Sequence, residues 1–298
     1  MASGVLAAVL AAACYECGYL LQALEAKVAP EELGLRPALL VRLGSRRRWL
    51  AGMVLSLLGA GLQTLALARA PVTVVQPVLA LGLIGLLVLA RVRLHERISR
   101  AGMAGAVLVV LGVAAVGIAN PARTSHVSSA PAFVALVAPI AVVTMIPFVL
   151  RGRVAAGSAV AAAAGGDALA AVALKLTADA LASGRLPVGA LAALGAAVAG
   201  ALALTAEMTA LRTLPATRTA PPVLGAQVIV PAVIAVAAFG EPASATLLIG
   251  IGAAGVGAGL LGSSRGVAGP RGSERTAEAE ALADRAGGRG QGAEPLAG

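Results

Sequence analysis

The chain is 298 residues long, with 59% apolar residues and 12% charged ones, against about 45–50% and about 25% in a soluble globular domain. That composition excludes an ordinary soluble enzyme, and a formal net charge of +9 then calls for a membrane explanation before a nucleic-acid one. Only six aromatic residues are present (Phe133, Phe148, Phe239, Tyr15, Tyr19 and Trp49), too few for the stacking platforms on which nucleic acids are held.

In chain order, nine stretches have the length and apolarity of a bilayer crossing: 3–24, 49–69, 71–90, 101–119, 131–150, 154–182, 187–208, 219–239 and 244–262. At roughly 20 residues per crossing they account for most of the chain. Each is predicted helical, because a lipid-embedded backbone must satisfy its own hydrogen bonds. The expected fold class is therefore an all-α integral membrane protein of about nine transmembrane helices.

Lys and Arg residues gather in alternate loops. With the N-terminus outside and the C-terminus inside, loops 25–48, 91–100, 151–153 and 212–218 and the tail place 19 of the 23 on the inner side, which is the positive-inside pattern. Residues 263–298 turn to Gly, Arg, Glu and Ala and are expected to be a disordered cytoplasmic tail. The two cysteines, Cys14 and Cys17, lie inside an apolar helix and lack the further ligands a structural zinc requires.

Shifting the sequence on itself by 145 residues aligns Pro77 with Pro222, Glu96 with Glu241, Ser99 with Ser244, Gly105 with Gly250, Gly112 with Gly257 and Gly117 with Gly262. A fixed register of this kind marks a repeated unit. In each copy a proline-bearing helix ends in Glu-x-x-Ser, whose Ser is placed to cap the next helix. Glycines follow on a face suited to close packing. Because the copies start from opposite sides, they form an inverted repeat, as in many secondary transporters. The expected organisation is a first unit at 1–119 that includes the basic loop 25–48, a linking helix within 120–153, a second inverted unit at 154–262, and the tail at 263–298.

The segments Gly61-Leu-Gln63 to Ala70-Pro71, Val75-Gln76-Pro77-Val-Leu-Ala-Leu-Gly82, His95-Glu96-Arg-Ile-Ser99 and the helix bearing Gly105 and Gly112 together resemble the drug/metabolite transporter superfamily of the EamA type. Within it they resemble the nine-helix, NIPA-like magnesium transporter relatives most. The resemblance covers about residues 3–262 and rests on order and spacing. It implies an inverted-repeat transporter in the cytoplasmic membrane, moving a small solute or ion by alternating access, with no enzymatic activity and no cofactor. The second copy departs from the pattern at Phe239-Gly240-Glu241-Pro242-Ala243, where the basic residue after Glu is missing.

Charged residues within spans single out the candidate site, since each costs about 2.5–3.5 kcal/mol at the bilayer centre and needs a partner or a task. Tyr15, Glu16, Tyr19 and Gln22 share one arc of the first helix, a polar stripe facing a cavity. In the sixth span Asp167, Lys175 and Asp179 also share an arc, with Lys175 and Asp179 spaced for an i,i+4 pair. Asp167 has no such partner in its own helix. If the halves are equivalent, Glu16 and Asp167 reach one central cavity, where two carboxylates suit a hydrated divalent cation or an organic cation exchanged for protons. They are the candidate metal ligands, with Tyr15, Tyr19, Gln22 and Lys175 shaping the cavity, although Lys175 is equally placed for a structural ion pair.

Glu207 reads as a gating or solvated residue within reach of Arg212. Pro77 and Pro222 read as helix kinks, and Glu96 and Glu241 as structural residues at opposite membrane surfaces. Gln63, Gln76 and Gln227 read as interhelical packing groups. The string Gly250-x-Gly252-x-x-Gly255 spells a nucleotide fingerprint, but lies within an apolar span with no preceding strand. Helix packing explains it better, and a Gly255-x-x-x-Gly259 face could also join two copies in a homodimer. The expected partners are thus the lipid bilayer, a small-molecule or cation substrate, and a second copy. A non-transporting scaffold, made of glycine-rich helices that bind a partner, is the remaining alternative.

Overall fold

The computed structural model describes residues 2–26, 35–82, 85, 100–119, 122, 124, 127–150, 156–214 and 216–263. These form ten helices: α1 (Ala2–Ala26), α2 (Pro37–Leu43), α3 (Arg47–Arg69), α4 (Val72–Ala80), α5 (Arg100–Ala119), α6 (Ala130–Val149), α7 (Ala156–Ala182), α8 (Leu186–Thr213), α9 (Ala216–Phe239) and α10 (Ala245–Ser263). A described helix falls within each of the nine expected stretches, and α2 is an addition, a short helix inside the basic loop. Six of the helices are long and apolar enough to cross a membrane. Glu96, Lys27, the arginines of loops 91–99 and 151–153, and residues 264–298 lie outside the described residues.

Bulky apolar side chains such as Leu58, Ile118, Leu191 and Ile249 face outward on four different helices. Water is a poor solvent for such a surface, whereas lipid chains are a good one. Helix α6 shows the same preference at its limit, being among the most apolar and the least buried. The molecule is accordingly a multi-pass membrane protein with α6 at its margin.

Helices pack in two corresponding sets. α1 packs on α3, and α7 packs on α8; α4 packs on α9, and α5 pairs with α10. Small residues allow the approach: a Cβ on Gly18 would stand 2.7 Å from the Gly52 carbonyl oxygen, and one on Gly52 would stand 2.7 Å from that of Gly18. The α5–α10 seam is tighter and reciprocal. A Cβ on Gly112 would meet the Gly250 oxygen at 2.5 Å, and one on Gly257 would meet the Gly105 oxygen at 2.5 Å. Under the 145-residue register each of these contacts maps onto the other.

Two turns fix the end of the bundle where α4 begins. The α9 terminus closes with Gly240 at φ +70°, a left-handed conformation that favours glycine. The Ala238 carbonyl there accepts hydrogen bonds from Ser128 N at 2.8 Å, Ser129 N at 3.0 Å and Ser128 Oγ at 3.0 Å. Ser244 caps α10 as expected, its Oγ accepting from Leu247 N at 3.1 Å. Gly255 packs on Ile229 of α9, so that member of the glycine face is used within the chain.

Candidate functional site

A cavity of about 550 Å³ lies among α1, α2, α3, α4, α7, α8 and α9. Its position follows from composition: α7 and α8 turn alanine and glycine toward it, at Ala170, Ala171, Ala193, Ala197, Gly200 and Ala201, and side chains that short leave space beside them. The wall is mostly apolar, so its few polar groups stand out.

Five of the expected residues line this cavity together: Tyr15, Glu16, Tyr19 and Gln22 from α1, and Asp167 from α7. The helical stripe read from the sequence is thus a cavity face. The Tyr15 hydroxyl donates to Gln63 Oε1 at 2.8 Å, and Gln22 Nε2 donates to Ser56 Oγ at 3.3 Å, so α3 orients two members of the α1 stripe. Gly59 supports the Tyr15 ring from behind, with a Cβ there falling 3.1 Å from it. Gly82, just beyond α4, packs against Glu16, and its Cβ would stand 2.8 Å from Glu16 Cγ.

Glu207 is the principal correction. Expected to reach Arg212 at the membrane edge, it lines the same cavity as Glu16 and Asp167, and no ion pair joins it to Arg212 among the described residues. The sequence carried a signal for this position: Ala193, Ala196, Gly200 and Leu204 precede Glu207 at helical spacing on one face of α8 and line the same space. Gln63 and Gln227, read as packing groups, also line it.

Of the two readings of Lys175, the structural ion pair is the one observed. Lys175 does not line the cavity but pairs with Asp179 at 3.2 Å and with Glu241 at 3.7 Å. Eight residues along a helix rotate a side chain about 80°, enough to turn Lys175 from the face of Asp167 toward α9. Glu241, expected at a membrane surface beside its own turn, is 2% exposed. It reaches across to the first turn of α4, accepting from Val72 N at 3.3 Å and from Thr73 N and Oγ1 at 3.4 and 3.0 Å. A carboxylate at a helix N-terminus meets unpaired N–H groups and the positive end of the helix dipole. Pro77 lies inside α4 and Pro222 inside α9, where each removes a backbone donor. Cys14 and Cys17 are free thiols.

Glu16, Asp167 and Glu207 thus bring three carboxylates to one cavity, and none has a hydrogen-bond or ion-pair partner among the described residues. Nor do three or more His, Cys, Asp or Glu residues stand close enough there to grip a bare metal ion. The arrangement is a chamber lined by carboxyl groups rather than a chelating cage. It has room for a cation that keeps its water, since six waters at about 30 Å³ each occupy about 180 Å³.

Residues 43–162 match the family model described as Magnesium transporter NIPA. That stretch holds α3, α4, α5 and α6 and the start of α7, and it agrees with the resemblance read from the sequence. No curated protein and no solved structure matches the chain. The family match and the apolar helices together support a multi-pass membrane transporter.

Proposed function

From the match of residues 43–162 to the NIPA magnesium transporter family, we propose that this protein moves magnesium across the cytoplasmic membrane. The single observation that carries the reading beyond the match is the meeting of Glu16, Asp167 and Glu207 in one chamber. Magnesium sheds water reluctantly and is held through one or two carboxylates with several waters retained. Three carboxylates around a roomy cavity supply charge without demanding dehydration. Tyr15, Tyr19, Gln22 and Gln63 line the chamber with groups that hydrogen-bond to the ion's water shell.

Transport proceeds by alternating access between two inverted units, residues 1–119 and 154–262, joined by the segment 120–153. Support comes from the corresponding pairs α1–α3 and α7–α8 and from the reciprocal glycine contacts of α5 and α10. Inverted repeats give such proteins two gates around one site.

Reconstituted into liposomes, the protein is expected to give saturable magnesium uptake reported by an internal dye. The alanine-rich wall favours a second reading, export of a lipophilic organic cation, with Tyr15 and Tyr19 offering aromatic faces. Absence of magnesium flux, with proton-driven counterflow of a tetraalkylammonium ion, would replace the first reading by the second. Silence toward both refutes transport.

Gly82→Ala gives a local check on Glu16. The added Cβ would stand 2.8 Å from Glu16 Cγ and 2.9 Å from Oε1, atoms of a flexible side chain that moves more cheaply than backbone. The expected outcome is a thermal midpoint within a few degrees of the parent and an apparent magnesium KM raised about tenfold, the equivalent of about 1.4 kcal/mol of misplaced ligand. An unchanged KM would separate Glu16 from the ion.

A further inference from the structure

Buried charge is concentrated a second time, outside the cavity, at the end of the bundle where α4 begins. The Lys175 ammonium donates to the Thr124 carbonyl oxygen at 2.6 Å. It stands 3.2 Å from Asp179 Oδ2 and 3.7 Å from Glu241 Oε1, and 4.9 Å from the centre of the Phe239 ring. Lys175, Asp179 and Glu241 are all buried. Through Glu241 the cluster extends to Val72 and Thr73 in the first turn of α4. One ammonium therefore ties α7, the turn between α9 and α10, residue 124 and the start of α4 into a single plug.

Stability alone is a poor reason for such a plug. Apolar side chains of similar volume often serve a fold as well as a buried ion cluster, whereas removing one ion strands its partners. Its position on α4 gives a better reason. Thr73 belongs to the cluster and Leu79 lines the cavity, and between them Gln76 is fully buried, with neither amide atom hydrogen-bonded among the described residues. A polar group left so between two charged centres is unusual, since buried amides normally find partners. Along α7 the cavity lining runs through Asp167, Ala171, Leu174 and Thr177, and Lys175 and Asp179 of the cluster alternate with the last of these on another face of the helix.

We infer that Lys175 is a tethered cation that closes the translocation pathway at the α4 end. Its ammonium occupies an oxygen and aromatic cation site through which the transported cation passes when the helices part, and Gln76 is the polar step between that site and the chamber. The inference rests on the transport reading above and assigns Lys175, Asp179 and Glu241 to the gate rather than to the chamber.

The test is access to Gln76→Cys, in a Cys14→Ala, Cys17→Ala background reconstituted into liposomes, for a membrane-impermeant thiol reagent applied to the α4 face. With Lys175 intact and no magnesium gradient the thiol is expected to react slowly. Lys175→Met should raise the rate at least tenfold, while Lys175→Arg, which keeps the cation, should leave it low. Equal rates in the Lys175 and Lys175→Met proteins would overturn the inference. Should Lys175→Met not fold, the intact-lysine protein decides: its labelling must rise during magnesium flux, and flux without that rise also overturns the gate. Failure of the transport reading looks different, as absent magnesium flux with labelling that still depends on Lys175, and this outcome upholds the gate for another cargo.

Discussion

Glu16→Gln and Asp167→Asn are each expected to lower saturable magnesium uptake in proteoliposomes about 10- to 100-fold while leaving thermal stability unchanged or raised. The two effects have one cause. Each carboxylate faces the chamber with no hydrogen-bond or ion-pair partner among the described residues, so neither contributes a native contact that the amide would lose. A charge in the membrane interior costs about 2.5–3.5 kcal/mol on insertion scales, and the isosteric amide removes that cost. What the amide cannot replace is a charged acceptor for the ion's water shell, and hydrogen bonds to charged groups contribute about 1.5–3 kcal/mol. At about 1.4 kcal/mol per decade this is the expected loss in transport. Residues serving only as structural glue predict the reverse, lower stability with flux intact, so one melting curve beside one uptake curve separates the two roles. Glu207→Gln should follow Glu16→Gln, whereas a Glu207 confined to the membrane edge would leave uptake unchanged.

Gly112→Leu and Gly250→Leu are expected to lower the melting temperature in detergent by several degrees, with Gly252→Leu close to the parent protein. At Gly112 even a Cβ would meet the Gly250 oxygen at 2.5 Å and Ala254 N at 2.6 Å, and at Gly250 it would meet the Gly112 oxygen at 2.8 Å. These obstacles are backbone atoms, so the helices themselves must separate. Overpacking of this kind costs about 1–3 kcal/mol, and more where no side chain can yield. Gly252 has nothing within 4 Å of a Cβ and controls for the loss of a glycine as such. Because Gly112 and Gly250 form one contact, the double variant should be clearly less destabilised than the sum of the singles. Melting at the parent temperature in either single variant would mean that α5 and α10 do not meet along this seam.

Much of the architecture was legible because lipid imposes a simple rule on sequence, long apolar runs with charge kept to their ends. The helical stretches, the α1 stripe, the Ser244 cap and the i,i+4 pair of Lys175 with Asp179 all depend on neighbours within one helix or turn, which spacing reports directly. The errors share a different origin. Spacing says which residues share a face, but not what that face meets. The arc groups Lys175 with Asp167, yet its partners Glu241 and Thr124 come from distant loops. Sequence order places Glu241 beside its own turn, whereas it serves the start of α4. Sequence proximity points Glu207 to Arg212, while the small-residue stripe before it is the better guide. The helix α2 is only seven residues long and leaves no periodic trace in an arginine-rich loop.

The alanine and glycine walls of the chamber bear on how this scaffold can change its cargo. A wall of Ala170, Ala171, Ala193, Ala197, Gly200 and Ala201 stands near the lower limit of side-chain size, so nearly every substitution there narrows the space. Replacing an alanine by valine, leucine or methionine fills volume in steps of a few methyl groups without moving a carboxylate. Size preference and charge preference are therefore carried by separate residues, and descendants of this chain can tighten one while keeping the other.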